Sequence, residues 1–164
     1  MARKSGIGSH QSANSTTDEW LTPEPILRAL GNFDLDPCAP IWQPWKTANT
    51  VFTKYDDGLN KDWKGRVWLN PPYGLEAAKW LKKLKEHKNG IALIFARTET
   101  AMFFEHVWKG ADSILFIEGR LYFHYICGCR APANSGAPSV LISYNKDNSE
   151  ILKNSGIAGK FIQL

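Results

Sequence analysis

The chain has 164 residues, of which 43% are hydrophobic and 22% are charged. This length suits one domain with a substantial core, and the composition argues against wholesale disorder. The net charge of +4 permits an anionic partner without demonstrating one, and the absence of an apolar run of about 18 residues argues against a membrane span.

The first residues of the chain are polar and lack the apolar stretch of a secretory signal. We therefore expect a flexible tail over residues 1–17, followed by a single domain over residues 18–164. Three cysteines, Cys38, Cys127 and Cys129, are too few and too oddly placed for a disulfide framework. Their number favours a reducing, cytoplasmic compartment.

Helix signals frame the stretch "TPEPILRALG" at both of its ends. Thr22 can cap the helix, Pro23 suits its first position and Gly31 suits its end. The sequence predicts two further helices, over residues 75–88 and 100–109.

Strand signals alternate with these helices. Residues 147–156 carry an Asp-x-x-Glu capping pattern and predict a last short helix that ends at the glycine. The alternation predicts a parallel-rich α/β sheet with an antiparallel element near the C-terminus. The predicted strands are "FDLD" (33–36), "NTVFT" (49–53), "RVWLN" (66–70), "GIALIFAR" (90–97), "SILFIEG" (113–119), "RLYFHY" (120–125), "SVLISY" (139–144) and "KFIQL" (160–164).

Polar stretches follow three of the predicted strands. They are "DPCA" (36–39), "NPPY" (70–73) and "ART" (96–98). Ligands of open α/β sheets bind beyond the carboxyl ends of the strands, so these stretches are predicted to line one cleft. The long loops over residues 40–65 and 126–138 are further candidates for function, because long loops within compact domains are seldom idle.

The stretch "NPPY" can hold an amino group. The Asn70 carboxamide oxygen and the Pro71 carbonyl are two acceptors, and an amino group has two N–H donors. The amine of a purine is a poor nucleophile because its lone pair is delocalised into the ring, and two acceptors favour a more pyramidal nitrogen. Pro71 and Pro72 would hold this geometry in advance, and Tyr73 offers a face on which a planar base can stack.

A set of motifs occurs in one order along residues 18–145: "DEWLTPEPIL", "FDLDPCA", "YDDGL", "WKGRVWLNPPYG", "ARTET" and "EGRLYF". In these motifs the chain resembles the phage-type DNA N6-adenine methyltransferase (Dam) family. "NPPY" alone is only moderately specific, because protein-glutamine methyltransferases share it. Its combination with "DLDPCA" and "DDGL" at this compact spacing is a strong signal.

The resemblance implies a Rossmann-like, three-layer α/β/α methyltransferase domain with a mostly parallel sheet. It implies site-specific transfer of a methyl group from S-adenosylmethionine to adenine N6 in DNA, by direct in-line attack, which leaves S-adenosylhomocysteine. The target adenine would be flipped out of the duplex into the pocket of residues 70–73. The resemblance also implies a phage or prophage origin, and it leaves restriction–modification and replication timing open as roles.

The resemblance further implies which residues hold the cofactor. The Thr-Pro segment borders its methionine moiety, the acidic-Pro-Cys-Ala stretch lies against it, and Asp56 or Asp57 takes the ribose hydroxyls or the adenine amine, with Asp57 preferred. A carboxylate at the end of the first strand can accept hydrogen bonds from the amino group of the cofactor. The implied cofactor-binding residues are Thr22, Pro23, Asp36, Pro37, Cys38, Ala39, Asp57 and Asn70.

DNA contacts are expected from loops, because nothing in the sequence resembles a separate target-recognition domain. Arg97, Arg120 and Arg130 are the candidate DNA-binding residues, and residues 126–138 are the candidate DNA-facing loop. No metal site is expected, because His124 and the two cysteines that follow it lack a fourth ligand at suitable spacing. No obligate protein partner is evident, and the oligomeric state stays open.

Two alternative functions remain open from the sequence. A protein-glutamine or RNA amino-group methyltransferase would use the same tetrapeptide on another planar amide or amine. A catalytically silent DNA-binding protein is favoured by one departure from the wider methyltransferase superfamily. That superfamily has a glycine-rich loop after the first strand, whereas no glycine here lies between Asp36 and Gly58.

Overall fold

The structure, a computed structural model, describes residues 19–164, so the predicted tail over residues 1–17 lies outside the described residues. No helix within residues 19–164 is long and apolar enough to cross a membrane. The elements in chain order are α1 (Glu24–Leu30), β1 (Leu35–Asp36), β2 (Thr50–Val51), β3 (Val67–Leu69), α2 (Ala77–His87), β4 (Gly90–Phe95), α3 (Ala101–Phe103) with a π-helical continuation (Phe104–Trp108), β5 (Ser113–Ile117), β6 (Ser139–Tyr144), α4 (Lys146–Lys153) and β7 (Gly159–Gln163).

The strands form one seven-stranded sheet with the order β2-β1-β3-β4-β6-β5-β7. The first four of these strands pair in parallel, whereas β6 is antiparallel to β4 and β5, and β7 is antiparallel to β5. The prediction of a mostly parallel sheet is therefore wrong, and the sheet is mixed. The antiparallel pairing results from the connection between β5 and β6. This connection has no helix that would carry the chain back to the other end of the sheet, so β6 must run in the direction opposite to β5.

Helices cover both faces of the sheet. One hydrophobic cluster joins α2, α3 and the π-helical turn to the strands, and the other joins α1 and α4 to the opposite face. Val67 and Leu69 of β3 belong to the first cluster and Trp68 to the second, because successive side chains of a strand point to opposite faces. The apolar run of β4 is buried on both faces, as its sequence predicts.

The first helix confirms part of its predicted boundaries. Gly31 ends it with a φ of 78°, which a glycine adopts without strain. Thr22 does not cap it, because Pro23 occupies the N-cap position and no side chain caps the helix. The hydroxyl of Thr22 instead accepts a hydrogen bond from the Asn70 amide at 3.3 Å. The Thr22 hydroxyl, which the local pattern predicts as a helix cap, therefore bonds instead to Asn70, a residue distant in the sequence.

The last helix begins two residues earlier than its capping pattern predicts. Asn145 is its N-cap, and its side chain accepts a hydrogen bond from the Asn148 backbone N–H at 2.9 Å. The predicted pattern at residues 147–150 lies inside the helix and caps nothing. The helix also ends before the predicted glycine, at Lys153, with Asn154 as its C-cap.

The segment 120–125 is not a strand, contrary to its prediction. His124 makes isolated bridges to Leu21 and Arg130, and the rest of the segment belongs to the loop between β5 and β6. The loop closes on itself through the Ala131 N–H, which donates to the Phe123 carbonyl at 2.9 Å. The segment cannot join the sheet beside β5, because β6 and β7 occupy both of its sides.

Candidate functional site

A cavity of about 400 Å³ opens at the edge of the sheet where β1 and β3 end. This volume lies in the range of small-molecule and cofactor sites. Its wall is formed by residues 19–22, 36–40, 53–54, 57–58 and 70–73, together with Thr47, Trp68 and Trp80.

The cavity brings together most of the residues that the sequence selects. All the predicted cofactor-binding residues line it except Pro23, and Pro71, Pro72 and Tyr73 line it as well. The stretches "DPCA" and "NPPY" therefore meet, as predicted from their positions after strands. The third stretch, 96–98, lies outside the wall of the cavity, and so do the three arginines Arg97, Arg120 and Arg130.

The side chain of Asn70 presents an unpartnered acceptor in this wall. Its Nδ2 donates to the Trp20 carbonyl at 3.5 Å and to Thr22 Oγ1 at 3.3 Å. A carbonyl can only accept, so this contact fixes which end of the amide faces the strap of residues 19–22. Asn70 Oδ1 is buried and has no hydrogen-bond partner among the described residues. Buried acceptors without a donor are rare, so this atom makes Asn70 a candidate ligand-binding residue.

Cys38 connects the two stretches. Its Sγ–H donates to the Asn70 backbone carbonyl at 3.3 Å. Burial, and next the charge of Asp36, raise the pKa of this thiol, so it stays protonated and can donate. Cys38 therefore holds the start of "NPPY" against "DPCA", and it also packs against the hydrophobic core.

Asp36 places a carboxylate in the cavity wall with only 3% of its surface exposed. Its Oδ1 accepts from the Cys38 N–H at 3.2 Å and its Oδ2 from Thr47 Oγ1 at 2.7 Å. Burial raises the pKa of Asp36 to about 6, against the lowering effect of these two hydrogen bonds. No lysine or arginine of the described residues forms an ion pair with it. A buried carboxylate of this kind suits a cationic ligand group.

The two neighbouring aspartates of the "DDGL" turn differ in their surroundings. Asp56 Oδ2 accepts from the Thr53 N–H at 2.8 Å and from Thr53 Oγ1 at 2.9 Å, and Asp56 lies outside the cavity wall. Asp57 lines the cavity, and its Oδ2 accepts from Asn60 Nδ2 at 2.7 Å. The structure thus gives Asp56 a role in the turn and leaves Asp57 as the carboxylate of this turn that lines the cavity.

Gly58 is a site residue that the sequence analysis did not select. A Cβ atom on Gly58 would lie 2.0 Å from the Pro37 carbonyl oxygen, so only glycine lets the turn approach the "DPCA" backbone. In the wider methyltransferase superfamily, a glycine-rich loop after the first strand allows close backbone approach. Here the glycine that allows it is Gly58, which lies in the turn that faces the "DPCA" stretch. The "DDGL" motif contains Gly58 and was the only sequence signal for it. Its contact with Pro37 could not be predicted, because the two residues are distant in the sequence.

Tyr73 has one ring face covered by protein. Its ring stacks on Phe95 with a centroid distance of 4.2 Å and an interplanar angle of 4°. The edge of Phe123 approaches it at 6.3 Å. With 37% of its surface exposed, Tyr73 lies at the rim of the cavity as an anchored aromatic platform.

The loop over residues 120–138 borders the cavity through the strap of residues 19–22. The Leu21 N–H donates to the His124 carbonyl at 2.8 Å, and the Trp20 and Tyr125 rings lie 5.1 Å apart. Arg130 lies over the Tyr122 ring at 3.8 Å from its centroid, and Arg120 donates to the Ser135 carbonyl at 3.4 Å. Both arginines are exposed at this edge of the sheet. Within residues 19–164 no group of three or more side chains could hold a metal ion.

The chain is similar to a known protein family. The family model described as "DNA N-6-adenine-methyltransferase (Dam)" matches residues 9–154, a range that includes every segment of the cavity wall. No curated protein and no solved structure matches the chain.

Proposed function

Since the chain belongs to the DNA N-6-adenine-methyltransferase (Dam) family, we propose that it transfers a methyl group from S-adenosylmethionine to N6 of adenine at specific sites in DNA. Family membership indicates DNA adenine-N6 methylation in general. The observation that carries the finer proposal is the buried, unpartnered Asn70 Oδ1, which shares one cavity with a buried carboxylate.

The residues of the tetrapeptide orient the reacting amine. Asn70 Oδ1 accepts one N–H of the adenine amino group and the Pro71 carbonyl accepts the other, and the two prolines keep these acceptors in position. The bonds from its Nδ2 to Trp20 and Thr22 fix the orientation of the Asn70 amide before the amine binds. Tyr73, stacked on Phe95, supports the flipped base at the rim.

The other wall of the cavity fits the cofactor. S-adenosylmethionine, when bound, supplies a methyl group attached to a positively charged sulfur. Asp36 accepts hydrogen bonds from its ammonium group, and Asp57 takes the ribose hydroxyls or the adenine amine. Thr22 and the backbone of residues 37–39 complete the contacts. Pro23 contributes through the start of α1, since it does not line the cavity.

The fold is consistent with a Rossmann-like, three-layer methyltransferase domain. Helices pack on both faces of the sheet, and the cavity lies beyond the ends of its parallel strands. The antiparallel β6 and β7 lie on the side of the sheet away from β1 and β2. The parallel half of the sheet is therefore the half that builds the cofactor wall.

We propose that the loop over residues 120–138 binds the DNA backbone, with Arg97 beside it. The salt dependence of DNA affinity is the slope of log K against log salt concentration. Replacing Arg130 or Arg120 with alanine is expected to reduce the magnitude of this slope by about one for each residue. Fluorescence anisotropy with a labelled duplex at several salt concentrations measures this slope.

Lys146→Ala is the matched control, because it removes one exposed positive charge at the start of α4, at the opposite edge of the sheet. Cofactor affinity should be unchanged in all three variants. An Arg130→Ala slope equal to that of Lys146→Ala would contradict the assignment of this loop.

The proposed activity is tested with the purified full chain, S-adenosylmethionine carrying a labelled methyl group, and unmethylated DNA. Nuclease digestion and mass spectrometry should find the label in N6-methyldeoxyadenosine. Cofactor binding without label on DNA would redirect the proposal to a protein or RNA substrate. Neither binding nor label would indicate a catalytically silent DNA-binding protein.

A further inference from the structure

The buried carboxylate of Asp36 is hydrogen-bonded to a chain of two polar side chains, Thr47 and Gln43, from the loop between β1 and β2. Thr47 Oγ1 lies 2.7 Å from Asp36 Oδ2 and 3.3 Å from Gln43 Oε1. Thr47 and Asp36 are 7% and 3% exposed. Gln43 Nε2 is buried and has no partner among the described residues.

The single hydroxyl proton of Thr47 limits which hydrogen bonds it can donate to Asp36 and Gln43. A hydroxyl has one proton, so Thr47 cannot donate to both Asp36 and Gln43. The shorter contact and the charge assign that proton to Asp36. With the Gln43 amide turned by a half rotation, its NH₂ group donates to Thr47 Oγ1, and the buried donor gains its acceptor. The bonds then run in one direction, from Gln43 to Thr47 to Asp36.

We propose that Gln43 and Thr47 are positioning residues for Asp36, whose hydrogen bonds keep its carboxylate ionised and turned toward the cavity to receive the ammonium group of the cofactor. This inference rests on the proposed function. Each carboxylate oxygen can accept more than one hydrogen bond, so the bonds from Thr47 and from the Cys38 N–H leave capacity for the ligand.

The ionisation of Asp36 is finely balanced, which makes the Thr47 bond consequential. Burial raises the pKa of Asp36 to about 6, and the Thr47 bond is the larger of the two effects that lower it. The other titratable groups of the cavity wall are the Cys38 thiol, Asp57, Tyr73 and the pair Glu19–Lys54, whose charged atoms lie 3.8 Å apart. Removing the Thr47 hydroxyl leaves all of these in place, so the pKa of Asp36 must rise.

The first measurement follows Asp36 in the free protein. The side-chain carboxyl carbon is titrated by NMR in the wild type, Thr47→Val and Thr47→Ser. Valine keeps the shape of threonine without the hydroxyl, and serine keeps the hydroxyl. We expect Thr47→Val to raise the pKa of Asp36 by about one pH unit, Thr47→Ser to stay near the wild type, and Gln43→Met to cause a smaller rise. Circular dichroism melting checks that each variant is folded.

The second measurement is the affinity for S-adenosylhomocysteine by calorimetry at several pH values. For a rise of about one pH unit, the loss of affinity in Thr47→Val relative to the wild type should be about eightfold larger at about pH 5.5 than at about pH 8.5, where both carboxylates are ionised and only the loss of orientation remains. The affinity for 5′-methylthioadenosine, which lacks the amino-acid moiety, should not differ between the two proteins at either pH.

The outcomes separate this inference from the proposed function. Equal titration of Asp36 in the wild type and Thr47→Val overturns the inference, and so does an equal loss of affinity for both ligands. If the wild type binds neither ligand, the proposed cofactor is wrong. The titration of the free protein then still decides whether Gln43 and Thr47 control Asp36.

Discussion

Replacing Asn70 with alanine is expected to lower the rate of methyl transfer about 10²- to 10³-fold, which is the usual effect of removing one preorganised hydrogen-bonding group from a reacting centre. The affinity for S-adenosylhomocysteine should fall far less, by no more than about tenfold, because Asn70 is only one of the residues implied to hold the cofactor, and Asp36 and Asp57 remain in place. The physical reason is the loss of Oδ1, a buried acceptor that has no partner among the described residues.

Single-turnover rates with labelled cofactor measure this effect without interference from product release. Asn154→Ala is the control, because it makes the same substitution at an exposed position at the end of α4. Asn70→Asp tests the role of the acceptor. It supplies an oxygen toward the amine but sets the other oxygen against the Trp20 carbonyl, so we expect a rate between the alanine variant and the wild type.

Loss of the bonds to Trp20 and Thr22 also loosens the strap, by about 1 kcal/mol in the free energy of unfolding. Thermal melting must therefore show that Asn70→Ala is folded at the assay temperature. A folded Asn70→Ala protein with more than about a third of the wild-type single-turnover rate would exclude Asn70 from the reacting centre.

Patterns in neighbouring residues predicted the helices and strands whose burial follows directly from their hydrophobic periodicity. They failed for segments whose structure depends on pairing with strands that are distant in the sequence. The apolar run of β4 and the amphipathic α2 are encoded in consecutive residues, and both were predicted correctly. The direction of β6 depends on which edge the chain crosses after β5. Segment 120–125 has the composition of a strand, but the places beside β5 are occupied by other strands. No local pattern reports such competition.

The candidate site divides in the same way. "DPCA" and "NPPY" are unusual stretches at strand ends, so sequence reasoning could select them and predict that they meet. Thr47 and Gly58 belong to the wall because the loop between β1 and β2 and the turn after it fold back over the end of β1. An ordinary threonine in a polar loop has no distinguishing sequence signal, and only its 2.7 Å contact with Asp36 reveals it.

Asp36→Asn is expected to separate stability from binding. The pKa of Asp36 is raised to about 6 from its ordinary value of 3.8, so between these values the folded protein binds more protons than the unfolded chain. Stability therefore falls as the pH rises through this window, and at neutral pH the ionised group costs up to about 3 kcal/mol. Neutral asparagine removes this cost and can keep both hydrogen bonds, because the Thr47 hydroxyl is able to reverse and accept.

We therefore expect Asp36→Asn to raise the free energy of unfolding at about pH 7 by about 1–3 kcal/mol, and to bring little gain at about pH 4, where the carboxyl of the folded wild type is already protonated. The same variant should bind S-adenosylhomocysteine at least about 30-fold more weakly, because the ammonium group loses its buried counter-charge. Urea denaturation at both pH values and calorimetry measure the two effects.

The exposed Asp62→Asn is the control and should change stability by no more than about 0.5 kcal/mol and binding not at all. A variant at position 36 that is less stable at neutral pH, yet binds the cofactor as tightly as the wild type, would make Asp36 a purely structural residue. A variant that is more stable and binds weakly would mean that the chain keeps a destabilising buried charge for the sake of its ligand.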